Sequence, residues 1–277
     1  MDRNMVNIDQ HIIELKSYIN DNQYSWQSKK QELENLANEE HNSKLKYAAS
    51  LIAEKYNNKN LRILDFGSGS GLYVIYLLIC GYKEVRGVDI VEKFNNNIIN
   101  KLGYGSEVFS LLKNQRLPYP DGYFDVITSN LVLEHVHDID SYYSEASRVL
   151  KDGGVCFFHF PHRFQIWDSH SRTFFIHYLP KALRKRLYDI FSRQGGEYIE
   201  GYLNLQTIRY HKMVARKYFK YAESRGIHRI QNMSFLKYKG NLTIRKLANY
   251  LINLKYFGRL FSLVLSNFAA ENLYLEK

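Results

Sequence analysis

The sequence has little of what a secreted, metal-bound or membrane-spanning protein needs. Among 277 residues there are only two cysteines, Cys80 and Cys156, both in apolar stretches. Two such thiols point to reduced core residues of a cytoplasmic chain rather than a disulfide framework. No His/Cys spacing supports a zinc site, so no metal is expected. No run of about 18 apolar residues occurs, which excludes a helical membrane span. The opening "MDRNMVNIDQHIIELK" mixes charged and apolar residues and lacks the continuous apolar core of a signal peptide. Internal repeats and low-complexity linkers are also missing.

Acidic residues run short in one region only. Residues 1–179 carry 19 Lys/Arg and 22 Asp/Glu, a net −3; residues 180–277 carry 19 and 6, a net +13. The overall charge of +10 therefore belongs to the last third. Such a segment attracts anionic substrates, an acidic membrane surface or nucleic acid. No aromatic–basic recognition motif accompanies the charge, so nucleic acid is not the expected partner.

What is present is an alternation of strands and helices over residues 61–161. "LRILDF" reads as a buried strand and "GLYVIYLLICG" as a helix stopped by Gly81. "EVRGVDI" is a strand and "VEKFNNNIINKLGYG" a helix. "EVFSLL" and "YFDVITSN" are strands, "DIDSYYSEASRVLKDGG" a helix and "GVCFFHF" a strand. Short connections of this kind imply right-handed crossovers and a parallel sheet covered on both faces. Polar amphipathic helices are expected over residues 8–56. After Pro161 the alternation stops: "PKALRKRLYDIFSR" and "HKMVARKYFKYAESRG" read as helices, "IHRIQNMSF" as a strand, and residues 243–268 as a longer amphipathic helix.

The stretch "DFGSGSG" joins the first strand to the first helix of this alternation. A glycine turn there exposes backbone N–H groups to a ligand at the carboxyl edge of the sheet. A phosphate loop is excluded, because its Lys is absent. A dinucleotide fingerprint counted from Gly67 and Gly69 puts Leu72 where a third glycine or alanine belongs. An adenosyl ligand without a diphosphate fits better. Asp65 stands directly before the glycines, where a carboxylate repels phosphate and suits an ammonium and a sulfonium. Asp89 ends the second strand, 18 residues beyond Gly71. There it can accept both ribose hydroxyls, or cap the following helix.

"ILDFGSGSGLY", "VRGVDI", "LPYPDGYFDVITSNLVLEHV" and "EASRVLKDGGVCFFHFP" follow one another in the order seen in class I S-adenosylmethionine-dependent methyltransferases. The chain resembles the branch of type-11 methyltransferase domains over residues 60–162. The resemblance implies an α/β, Rossmann-like, doubly wound, seven-stranded, mostly parallel sheet, with N-terminal helices and a helical insertion near the C-terminus. "AENLYLEK" would be its antiparallel last strand, with "HRIQNMSF" beside it. The implied domains are a helical cap (1–58), a cofactor-binding core (59–162) and an acceptor-side segment that completes the sheet (163–277). The implied cofactor is S-adenosylmethionine, with S-adenosylhomocysteine as product. Asp65, Gly67, Ser68, Gly69 and Gly71 would face its methionine part, Asp89 and Ile90 its nucleoside, and Ser129 and Asn130 the donor methyl. The family often has an acceptor Asp four residues before the Leu-Pro of "LPYP". Lys113 stands there and cannot accept a hydrogen bond, whereas its neighbour Asn114 can.

Methyl transfer to a hydroxyl needs alignment and a base. His135, His162 and His170 lie near the ends of the fourth and fifth strands and are the catalytic candidates. Glu134 is expected to order its loop by bonding backbone N–H groups. The segment 161–186 resembles a subset of these enzymes associated with polysaccharide or lipid-linked glycan synthesis, and its aromatics, Trp167 included, suit a sugar face, an apolar pocket or a loop covering the core. The expected activity is methyl transfer to a hydroxyl of a small molecule or a glycan. A non-catalytic adenosyl-binding scaffold and an RNA or protein methyltransferase are the alternatives. The 243–268 helix is expected to roof the acceptor pocket; alternatively, with Arg184, Lys185 and Arg186, it would hold the chain against an anionic membrane at its inner face or meet a phosphate in the acceptor.

Overall fold

A computed structural model describes residues 39–92, 99–100, 104–113, 116–168, 171, 173–192, 195–226, 250, 254, 258 and 270–277. The helices expected before residue 39, the core of "VEKFNNNII", the strand "IHRIQNMSF" and most of 243–268 lie outside the described residues. Two compact units divide the chain, Met1–Thr128 and Ser129–Lys277.

The first unit contains helix α1 (Glu39–Lys55), strand β1 (Arg62–Phe66), helix α2 (Leu72–Ile79), strand β2 (Glu84–Asp89), strand β3 (Phe109–Leu111) and most of strand β4 (Phe124–Asn130). β1 pairs in parallel with β2 and β4, and β2 with β3. Four consecutive residues of β1, Ile63 to Phe66, are buried, as befits a strand covered on both faces. α2 is buried from Tyr73 to Leu78. It ends where Gly81 takes a left-handed φ of 89°, the stop that "ICG" predicts. Register decides what meets at the carboxyl edge. Phe109 pairs with Gly87, Gly87 with Asp65, and Asp65 with Thr128. Paired residues point to the same side of a sheet, so these four side chains share one row.

The second unit contains helix α3 (Ile139–Val149), strand β5 (Leu150–Phe160), the two-residue strands β6 (Trp167–Asp168) and β7 (Thr173–Phe174), helices α4 (Lys181–Phe191), α5 (Gly196–Tyr202) and α6 (Ile208–Ala215), and strands β8 (Tyr221–Ser224) and β9 (Glu271–Glu276). Asp138 caps α3 by accepting the Ser141 N–H, and Thr207 caps α6 by accepting that of Tyr210. The strand order is β3-β2-β1-β4-β5-β9-β8, with β6 and β7 as a separate hairpin. Seven strands, with β9 antiparallel to β5 and β8 and β1 to β4 pairing in parallel, match the expected architecture.

Three local expectations fail. α3 stops at Val149, and Leu150 to Gly154 join β5 instead of continuing the helix. Gly153 turns there with φ 75°, a conformation a helix cannot hold. "HKMVARKYFKYAESRG" is not one helix: α6 ends at Ala215, and Tyr221–Ser224 pairs with β9. Edge pairing outweighs a modest helix propensity there. The described neighbours of "AENLYLEK" are β5 and "YAES", and "HRIQNMSF" lies outside the described residues. The β6–β7 hairpin is unannounced, because strands of two residues carry no readable period.

Candidate functional site

The turn between β1 and α2 is shaped by its glycines. Gly67, Gly69 and Gly71 have φ of 86°, 54° and 82°, all in the left-handed region that costs other residues energy. Gly71 meets a second constraint. A Cβ there would stand 2.2 Å from Phe109 Cζ, and one on Gly87 would stand 2.7 Å from the same ring. Phe109 thus fills the space under the turn that two glycines leave. A glycine inside strand "EVRGVD" was a visible sign of close approach. By contrast, a Cβ on Gly69 would meet nothing within 4 Å. That part of the turn faces open space.

Backbone bonds fix the turn to β2. The N–H groups of Gly67 and Ser68 both donate to the Val88 carbonyl, at 2.8 and 3.0 Å. Asp89 adds its carboxylate: Oδ2 accepts the Gly69 N–H at 2.7 Å and Oδ1 accepts that of Val91 at 3.1 Å. Asp89 therefore serves the chain turn after β2 and also braces the glycine turn. Asp65 is buried and accepts from Thr128 Oγ1 at 2.9 Å. Burial raises its pKa to about 7, the Thr128 bond opposes this, and the charge of Asp89 raises it further. No Lys or Arg occurs from Ile63 to Tyr82. The electrostatics of this edge are acidic and favour a cationic ligand over a diphosphate.

Ser68 Oγ and Tyr73 OH are buried and have no hydrogen-bond partner among the described residues. Orphaned polar atoms beside a glycine turn with open space over Gly69 fit a polar ligand. Just after Asp89, Ile90 is 75% exposed and Val91 45%, which gives an apolar surface on the outer side of β2. Lys113 is exposed and bridges in strand fashion to Arg116. Asn114 lies outside the described residues.

In the second unit, Ser129 Oγ lies 2.9 Å from Tyr142 OH in a buried pair, and Asn130 is exposed. Leu131 follows with φ 58° and 50% exposure, its N–H donating to the His159 carbonyl. A strained, exposed leucine at a strand end marks a spot where shape outranks local stability. Glu134 is buried, and burial raises its carboxyl to about pKa 8. Of the loop-ordering bonds expected of this side chain, one to its own backbone N–H is formed, while its Oε2 has no partner among the described residues. The loop is held instead by Asn204, whose N–H donates to the Glu134 carbonyl and whose Nδ2 donates to that of Val136. Nothing in the sequence linked these segments. His135 stacks on Tyr202 with centroids 4.2 Å apart, and its Nε2 is 4.0 Å from Glu134 Oε1.

His162 is buried, and its Nδ1 accepts the Phe164 N–H at 3.2 Å. It lies within electrostatic range of His211, which burial lowers to a pKa of about 4. His211 in turn bonds Tyr143 OH at 3.1 Å. These contacts give His162 a scaffold's surroundings. His170 lies outside the described residues. Among the described residues, no cluster of three or more His, Cys, Asp or Glu could hold a metal.

Strand order and glycine turn together define a Rossmann-like fold of the class I methyltransferase type. Residues 64–158, 95 of the 277, match the type-11 family model described as a methyltransferase domain. That segment is similar to methyltransferase domains of this family. A demethylmenaquinone methyltransferase of Tropheryma whipplei (strain Twist) is 34% identical over 105 residues, which are 37% of this chain and only 44% of the relative. A ubiquinone biosynthesis O-methyltransferase of Pelagibacter ubique is 30% identical over 190 residues, 66% of this chain and 65% of that protein. Among solved structures, a Galdieria sulphuraria protein provisionally named a sarcosine dimethylglycine methyltransferase superposes with a TM-score of 0.51 at 16% identity, covering 86% of each chain. That likeness establishes the fold.

Proposed function

We propose that the protein is an S-adenosylmethionine-dependent methyltransferase that methylates a hydroxyl of a small molecule, a free or lipid-linked sugar included. One observation carries the reading. The glycine turn is open over Gly69, is flanked by Asp65 and Asp89, and has no Lys or Arg in its own segment from Ile63 to Tyr82. The Pelagibacter relative is an O-methyltransferase, which favours oxygen as the acceptor atom.

When bound, the cofactor supplies an electrophilic methyl on a sulfonium. Asp89 would accept the ribose hydroxyls, and Ile90 and Asn114 would contact the base. Gly67, Ser68, Gly69 and Gly71 lie toward the methionine part, and the Asp65 charge favours its cations. Ser129 and Asn130 end the strand next to the reacting centre. His135 is the base that takes the hydroxyl proton, with His162 and His170 as the other catalytic candidates. Residues 1–58, 59–162 and 163–277 act as cap, core and acceptor segment. Peripheral contact with an anionic membrane, through the basic residues after 180, belongs to the same proposal.

Calorimetry tests it directly. S-adenosylmethionine and S-adenosylhomocysteine are expected to bind in the micromolar range and NAD not at all. Because Asp65 sits near pKa 7, a cationic ligand should draw a proton off it. Binding heats at pH 7 should vary with buffer ionisation enthalpy, and Asp65→Asn should remove that dependence. His135→Ala should lower turnover by about 10²–10⁴-fold with cofactor affinity unchanged. Failure of both adenosyl compounds to bind ends the proposal. Binding without transfer to any hydroxyl acceptor would return the scaffold alternative.

A further inference from the structure

Exposed apolar side chains concentrate in one segment of the second unit. Of the sixteen large hydrophobic residues exposed among the described residues, nine lie between Phe164 and Tyr202. Scattered apolar residues are ordinary on a protein surface, but a clustered set calls for an explanation. Here the aromatic rings fall into two groups. Trp167 and Phe174 pack edge to face at 4.7 Å across the β6–β7 hairpin. Phe164 and Phe175 each lie 6.0 Å from the Tyr178 ring. Phe174 is 64% exposed. Phe175 is held at φ 62°, a strained conformation for an exposed aromatic residue, so local stability does not account for its position.

Helix α4 continues the pattern. Its inward side contributes Tyr188, and partly Leu187, to a small core with Ile176 and Ile199. Leu183, Arg186 and Ile190, at i, i+3 and i+7, share the opposite side, and all three are exposed. The cationic run is not uniformly free. Arg184 is tied to Glu200 by two hydrogen bonds, and Lys185 pairs with Glu197. Lys181 and Arg186 are exposed and have no acidic partner among the described residues. From Arg163 to Tyr202 the chain carries seven Lys/Arg against four Asp/Glu, a net +3, with Glu197 and Glu200 taken up by Lys185 and Arg184.

We infer that this surface, the β6–β7 hairpin with the outward side of α4, docks onto an anionic lipid bilayer. Aromatic and aliphatic side chains interleaved with unpaired Lys and Arg suit the headgroup–acyl boundary. Charge selects the occupant. A second copy of this net-positive patch would be disfavoured by like charge, whereas an anionic surface is complementary. The inference places membrane contact in the hairpin and α4, not in the Arg184–Arg186 run as such. It does not depend on methyl transfer.

The test uses the full chain and vesicles of phosphatidylcholine, alone or with one third phosphatidylglycerol. Cosedimentation should be at least tenfold stronger with the anionic vesicles and should weaken with salt. The protein has two tryptophans, Trp26 and Trp167. In a Trp26→Phe background the emission of Trp167 should shift to the blue on binding. Phe174→Ser with Phe175→Ser should lower affinity at least tenfold. Ile190→Ser, on an exposed helix side, gives an independent reduction should the hairpin variant fold poorly. Lys181→Glu with Arg186→Glu should remove the preference for anionic vesicles. Absence of anionic binding, or binding with unchanged Trp167 emission, overturns the inference. So does a dimer in sedimentation velocity that the Ile190 variant dissolves while vesicle binding is missing. None of these readouts involves the adenosyl cofactor, so this result and that of the calorimetry stand apart.

Discussion

The glycine turn of the first unit and the 162–204 segment of the second are both polar and partly buried, yet they are built in different ways. The turn is made of backbone. Its N–H groups bond to the Val88 carbonyl and to Asp89, and three left-handed glycines make those bonds possible. The later segment is made of side chains. Asp168 and His177 are both buried, His177 Nε2 donating to Asp168 Oδ1 at 3.3 Å. Asp168 Oδ2 also accepts the N–H and the hydroxyl of Ser171, and Arg163 donates to the His177 carbonyl. Because Ser171 bonds the carboxylate rather than the imidazole, the cluster is a scaffold and not a nucleophilic triad. The difference is one of tolerance. A backbone turn fails when a Cβ is added, and a side-chain network fails when one partner is removed.

The largest expected effect comes from breaking that network. His177→Ala leaves Asp168 buried with a partner missing and should cost about 3 kcal/mol. Hydrogen exchange should then show residues 163–203 losing protection while residues 62–89 keep theirs. Equal loss in both places would make the two regions one cooperative unit. Gly71→Val should cost a similar or slightly smaller amount, about 2–3 kcal/mol, through left-handed strain and overlap with Phe109. Adding Phe109→Ala should relieve the overlap part but not the strain. A double-mutant cycle read by denaturant midpoint checks this, and full additivity would contradict the packing described.

Asp89→Ala should weaken adenosyl binding by about 2 kcal/mol, roughly 30-fold, since a charged acceptor is lost. Its effect on unfolding should be smaller, which calorimetry and thermal melts can separate. The smallest effect is expected at Glu134. Its pKa is about 8 in the fold against an ordinary 4.5. A raised carboxyl contributes fully below pH 4.5 and loses that contribution as pH rises through 8. Glu134→Gln should therefore gain stability relative to the native chain as pH rises from 5 to 8.5, read from denaturant midpoints. A constant difference across that window would show that the carboxyl is not buried in its neutral form.

Legibility followed the same division. The turn was readable because glycine spacing after an apolar run states a backbone conformation in plain residues. Asp65 and Asp89 were readable from their places at strand ends. Gly87 was visible as an interior strand glycine, but its partner Phe109 was not, because only register puts them side by side. The contacts of Asn204 with the Glu134 loop, of His211 with Tyr143, and of His177 with Asp168 join residues 9 to 70 positions apart. No local pattern encodes such pairs. Tyr221–Ser224 was misread for the same reason: its strand state is set by β9, some fifty residues later.

By itself the sequence determined the alternation of strands and helices, the open glycine turn and its acidic character, because these depend on residue type and near neighbours. Tertiary structure alone decided which carboxyls are buried enough to stay neutral near pH 7. It also decided which cations of α4 are neutralised and which aromatic rings face outward. Burial and pairing are properties of distant segments brought together, and a linear chain does not display them.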